Sequence, residues 1–127
     1  MEKNVPYLID FESARYDDTE IDFIETALRW SGLADLNIDY KKLKTFFKVY
    51  KMYIDISGID FKELLVPNLL GRFDFLYYNL DITLINKTTD IYLKNNAEQQ
   101  VIQMIKEICY YYQNIDELAR KCTLFAK

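Results

Sequence analysis

From Ile21 onward every segment of the chain carries its apolar residues at helical spacing, so a strand placed before that point has no partner strand within the same chain. Ile21, Ile24 and Leu28, with Phe23, Ala27 and Trp30, put apolar side chains around most of a first helix that Ser31-Gly32 closes, and a helix apolar over most of its circumference belongs in a core. Trp30 is expected there too. A second helix spans 39–55, with Tyr40, Leu43, Phe47, Tyr50 and Ile54 on one stripe, Lys41, Lys44, Lys48 and Lys51 on the other faces, and Ser57-Gly58 as its stop. Asp60 with Glu63 begins a third helix bearing Leu64, Leu65, Leu69, Phe73, Leu76, Tyr77, Leu80 and Leu84, which Pro67 is expected to kink or restart. Residues 86–96 are polar and Asn-rich and read as a connector. Asn96 with Gln99 then caps a helix carrying Val101, Ile102, Ile105, Ile108, Cys109 and Tyr112, and Asn114 with Glu117 starts a last short one through Leu118.

These elements predict a single, mainly α domain over 1–127: a strand and loop over 1–19, then a bundle of about five helices over 20–127. The strand is V-P-Y-L-I, residues 5–9, ending at Asp10 and opened by Pro6 as edge strands often are. Its unpaired backbone groups need solvent, a second copy or another polypeptide.

Only three residues are glycine and two proline, while half are hydrophobic and 16% aromatic, which excludes a disordered tail or a loop-rich scaffold. The net charge is −4 and the lysines are interspersed with acids, which argues against nucleic acid as a partner; the acidity suits a cationic small molecule or a metal ion, or serves solubility alone. The chain has no histidine, so imidazole acid/base chemistry, Ser-His-Asp and Cys-His nucleophilic sites and His-containing zinc sites are all excluded. Cys109 and Cys122 lie thirteen positions apart, outside any C-x-x-C spacing, and no signal-like segment opens the chain. No apolar run approaches the ~18 residues of a membrane span. A soluble cytoplasmic protein is the expectation.

The acids concentrate at one place: residues 7–25, YLIDFESARYDDTEIDFIE, hold seven in nineteen positions. Asp10 emerges at the strand end, where a carboxylate either terminates the strand through turn hydrogen bonds or holds a hard cation such as Mg²⁺ together with phosphate oxygens and water. Asp17, Asp18 and Thr19 precede the first helix, where negative charge and side-chain oxygens satisfy free N–H groups. Thr19 with Asp22 has capping-box spacing, so helix initiation is sufficient to account for Asp18, Thr19, Glu20 and Asp22.

Taken together, Ile9-Asp10-Phe11-Glu12, Ala14, Asp18 and Asp22-Phe23 resemble the metal-binding segment of the aminoglycoside phosphotransferase and choline kinase-like family, I-D-[FW]-[ED]-x-A-x-x-G-D-x-x-x-D-[LF], with Asp17 in place of the usual glycine. The resemblance implies the C-terminal lobe of a protein-kinase-like fold. It implies that Asp10 holds Mg²⁺ against the phosphates of ATP, that Asp18 caps the helix, and that Asp22 braces the catalytic loop by accepting backbone hydrogen bonds. The family's H-G-D-x-x-x-x-N loop, its nucleotide loop and its phosphate-pairing lysine belong upstream, and only nine residues precede Asp10. The expectation is therefore a phosphotransferase part that phosphorylates a hydroxyl on a small substrate only once a missing N-terminal lobe or partner chain completes it. A second expectation, of a different class, is a non-enzymatic helical module that pairs with a partner or with itself. Under either, exposed aromatics such as Tyr7, Phe11 or part of Tyr110-Tyr111-Tyr112 drive association, with one or two of the three consecutive tyrosines in the core and the third at its rim. Asp74, Tyr78 and Asp81 fall on the helix where substrate contacts would lie, but their spacing is equally that of a solvated face.

Overall fold

A computed structural model describes residues 18–85 and 89–127. The expected strand at 5–9 and Asp10, the expected metal ligand, lie outside the described residues, as do the first three residues of the connector. Within them the protein is mainly helical: α1 (Thr19–Trp30), α2 (Tyr40–Tyr50), α3 (Phe61–Leu80), a π-helical turn over Asp81–Ile85 that continues α3, and α4 (Ile91–Ala126).

All four α-helices start in the same way. Asp18, Asp39, Asp60 and Asp90 sit in extended backbone at the N-cap, and each turns its carboxylate onto free N–H groups of the first turn. Asp39 accepts from Lys41 N at 2.8 Å, for example, and Asp60 from Lys62 N at 2.9 Å. A short carboxylate suits this place twice over, as an acceptor and as a charge at the positive end of the helix dipole. The cap of α1 is therefore Asp18 rather than Thr19. Its end is Ser31-Gly32, where Gly32 takes φ +108° and a Cβ would stand 2.5 Å from the Asn37 carbonyl oxygen, so only glycine fits the turn into α2.

α3 and α4 form an antiparallel hairpin: Lys62 pairs with Asp116 at 3.1 Å, Tyr111 reaches Leu65 and Asn68, and Arg72 faces Glu107. α1 and α2 pack on the root of this hairpin. The core there joins Ile24, Leu28, Leu43, Phe47, Phe61, Leu65, Leu118 and Cys122, all fully or almost fully buried. Aromatic rings thread it, with Phe23 4.2 Å from Tyr50 and 5.0 Å from Phe47 between centroids. Both cysteines are free; burial pushes the Cys122 thiol up to about 12 and keeps it protonated.

Several expectations are corrected. The last two helices are one, because Asn114 donates its side-chain N–H to the Tyr110 carbonyl at 2.7 Å within the helix instead of capping a new one. Asn96 does not start α4 either, since Asp90 caps it one and a half turns earlier and turns the second half of the connector helical. Pro67 does not restart α3, which is one helix over Phe61–Leu80 with Pro67 inside it at an exposed position near its start. α2 ends at Tyr50, leaving Ile54 exposed. Trp30, the last residue of α1, overhangs the core and is 52% exposed, touching Phe46 at 5.9 Å between ring centroids. The tyrosine run divides as its helical spacing requires, with Tyr111 buried, Tyr110 half-buried and Tyr112 exposed.

Candidate functional site

A cleft of about 360 Å³ opens between α1 and the α3–α4 hairpin, lined by Asp22, Glu25 and Arg29 from α1, Asn68, Arg72 and Phe75 from α3, and Met104 from α4. Its polar side chains share one helical face of α1, being three and four residues apart.

The inner wall is a buried ionic cluster. The Arg72 side chain is 4% exposed and lies between two acids, with Nη2 2.9 Å from Glu25 Oε2 and Nε 3.9 Å from Glu107 Oε2. Nη1 donates to both the backbone and side-chain oxygens of Asn68, each at 3.0 Å. The guanidinium also stands 5.0 Å over the Tyr111 ring, whose hydroxyl donates to Asn68 Oδ1 at 2.9 Å. Nη2 is close to Glu25 but its N–H groups are not aimed along that contact, so Nε, Nη2 and Glu107 Oε2 are buried without an aligned hydrogen bond. Glu107 is held at its other oxygen by Gln103 at 3.1 Å, and Gln103 in turn donates to the Ala34 carbonyl. Three helices and the α1–α2 loop thus meet at one guanidinium.

Glu25 is the outer member. It takes a hydrogen bond from Asn68 Nδ2 at 2.9 Å and another from Arg29 Nε. Burial raises its pKa, but the charge of Arg72, the Asn68 bond and Arg29 together outweigh burial and hold the carboxyl below its ordinary value of 4.5. A carboxyl held low contributes stability that is fully present above its ordinary value and is lost as the pH falls through the lower folded value. The Glu25→Gln variant is therefore expected to be less stable than the wild-type chain at neutral pH, with the gap closing below about pH 4.5. Thermal melts across that range check it, and a gap independent of pH would contradict the role given to the charge.

Of the residues singled out in sequence, Asp18 is the α1 cap, accepting from Glu20 N at 2.9 Å. Asp22 is at the cleft. It is not used in a capping box, since Asp18 does that work, and its carboxylate makes no hydrogen bond or ion pair with the described residues. Asp74 and Tyr78 are exposed and Asp81 half-buried, none of them on this cleft. Among the described residues no three acids or cysteines come together as a metal site, and Glu25, the neighbour of Asp22, is already occupied by two guanidinium groups and an amide. A Mg²⁺ ion, which needs several hard oxygens around it, does not fit the cleft.

Glu25, Asn68, Arg72 and Glu107 were not singled out in sequence. The available signal was Arg72, which breaks the Leu65, Leu69, Leu76 stripe of α3 with a charge at an inward position.

Fold and site define a mainly helical domain with a buried Arg–Glu cluster behind a solvent-open cleft. No family model matches the chain, and no curated protein or solved structure matches it either. Among the described residues no helix is long and apolar enough to cross a membrane.

Proposed function

We propose that this chain is the C-terminal-lobe part of a small-molecule O-phosphotransferase of the aminoglycoside phosphotransferase and choline kinase-like kind. It works together with a catalytic loop and nucleotide-binding lobe that complete it. The observation that supports this reading is the state of Asp22. Asp18 is the cap, so Asp22 gives α1 only a negative charge in its first turn, and at the mouth of a cleft its carboxylate makes no hydrogen bond or ion pair with the described residues. The I-D-F-E-x-A segment assigns the same division of labour: Asp18 caps, Asp22 accepts backbone N–H groups of the catalytic loop, and Asp10 holds the metal. Bound Mg²⁺ neutralises charge on the nucleotide phosphates. The chain's own contribution is positional, with α1 carrying Asp22 and the buried cluster fixing α1 on the hairpin.

The test mixes the chain with a nucleotide-binding lobe that carries H-G-D-x-x-x-x-N and follows Mg-ATP-dependent phosphorylation of an amino-sugar or amino-alcohol hydroxyl. Asp10→Asn is expected to reduce turnover on the order of 10³-fold, the scale for removing one preorganised electrostatic contact. Asp22→Ala is expected to weaken assembly with the lobe. Turnover indifferent to Asp10→Asn would overturn the assignment.

A further inference from the structure

The face of the α3–α4 hairpin turned away from α1 and α2 is apolar along both helices. On α3, Val66, Leu70, Phe73 and Tyr77 follow one another at steps of four, three and four residues, which is a single stripe of a helix. On α4, Ile102, Ile105, Cys109 and Tyr112 do the same at steps of three, four and three. Both stripes stand opposite the residues that hold the rest of the fold. Leu70 is two positions from Asn68 and from Arg72, which reach Glu25 of α1. Ile105 is two positions from Gln103, which reaches the Ala34 carbonyl, and two from Glu107, which meets Arg72. Two positions amount to about 200° of helical rotation. The Arg72–Glu107, Tyr111–Leu65 and Lys62–Asp116 contacts also set the levels of the antiparallel pair, so Val66 is level with Tyr112, Leu70 with Cys109, Phe73 with Ile105 and Tyr77 with Ile102. The two stripes form one surface.

Its seven large side chains are 44–71% exposed, and Cys109 is exposed as well. Together they offer on the order of 800 Å² per chain, above the ~300–600 Å² of the largest patch on a typical monomer and close to what a standard interface takes from each partner. The charges indicate what matches it. Within residues 66–77 and 102–112, apart from the internal Arg72 and Glu107, the charged residues are Asp74 and Lys106, and neither makes an ion pair with the described residues. Leu65 and Tyr111, which join the two helices, point about 180° away from Asp74 and about 140° away from Lys106. Asp74 therefore borders the surface at the outer edge of α3, and Lys106 borders it at the outer edge of α4.

We infer that this face pairs with the same face of a second copy of the chain, the two-fold axis running along the hairpins. Such an axis lays each α3 on the partner's α4, stripe against stripe, and brings Asp74 within about one helical turn of the partner's Lys106 at both rims. One acidic and one basic rim on the same surface complement a copy of themselves, whereas a partner of uniform sign is repelled at one rim. The cleft beside α1 lies on the opposite side of the hairpin and stays open in this dimer.

Sedimentation velocity of the full chain from nanomolar to high micromolar concentration tests the inference. A dimer is expected in the micromolar range. Leu70→Lys with Ile105→Lys is expected to weaken it about 100-fold, since each change enters the interface twice, whereas Val49→Lys, at an exposed apolar position on α2, leaves it unchanged. Asp74→Lys and Lys106→Asp are each expected to weaken it about tenfold, and the two combined in one chain to restore it, because the rim pairs re-form with their signs exchanged. Maleimide labelling of Cys109 should slow as the dimer fills, with the buried Cys122 unreactive at every concentration. A monomer at every concentration, a Val49 change as damaging as the stripe changes, a double exchange no better than either single one, or a Cys109 rate independent of concentration overturns the proposal.

Discussion

Arg72→Ala is expected to destabilise the protein by about 3–5 kcal/mol, the cost of breaking a buried ion pair on one side only. For a chain of this size that corresponds to a fall in melting temperature of roughly 10–20 °C. The loss comes less from the contacts of the guanidinium than from what it leaves behind. Among the described residues Glu107, 3% exposed, would be left with Gln103 as its hydrogen-bond donor and no basic partner, and Asn68 Oδ1 would keep only the Tyr111 hydroxyl. An unpaired buried charge costs several kcal/mol even after local relaxation. Arg72→Met should therefore be nearly as damaging as Arg72→Ala although it fills more of the space. Adding Glu107→Gln to Arg72→Met should recover a large part of the loss, because it removes the orphaned charge. Urea unfolding with an unchanged denaturant slope measures each variant. A cost below about 1 kcal/mol for Arg72→Ala would mean that water entering through the cleft already solvates Glu107, and the cluster would then be a wet site and not a structural one.

The helices were legible where chemistry is local. Asp39 and Asp60 announce α2 and α3, Ser31-Gly32 closes α1, and the Phe47 and Leu65 stripes state which faces are buried. The continuity of α4 was less legible, because Asn114 carries the same amide whether it caps a helix or bonds back to Tyr110, and only the surrounding packing decides between them. Trp30 misled for a related reason. Periodicity gives the face of a helix but not where the neighbouring helix ends, and α1 runs one residue past its cover. The cluster itself was illegible because its members come from positions 25, 72 and 107, and no spacing rule links residues that meet only in three dimensions. Asp22 shows the converse. Its sequence context offered a capping box, and the geometry of the Asp18 cap removed that, leaving its charge in the first turn as its local role.

Phe47→Ala is expected to cost about 3–5 kcal/mol, the range for deleting a fully buried aromatic side chain, where the loss of transfer free energy and the cavity left behind add together. The expectation sits at the upper end because Phe47 is the place where the four helices meet. From α2 its ring lies 5.0 Å from Phe23 of α1, 5.5 Å from Phe61 of α3 and 6.2 Å from Phe125 of α4. Besides Phe47 and the smaller buried Leu43, the ties of α2 to the hairpin include outer contacts: Lys121 over the Tyr40 ring at 5.3 Å, and Lys51 Nζ on the Phe125 carbonyl at 3.3 Å. Exposed contacts of that kind are worth little, so without Phe47 the hold on α2 falls mainly to Leu43. Amide exchange should therefore show α2 opening before the α3–α4 hairpin in the variant, whereas Arg72→Ala should loosen the α1–hairpin seam first. Trp30→Ala is the control. It removes a larger side chain, but one that is half in water with a single ring neighbour, and a cost below about 1 kcal/mol is expected. If Trp30→Ala proved as damaging as Phe47→Ala, the indole would have to be covered in solution, and the face of α1 beside Phe46 would itself be an interface.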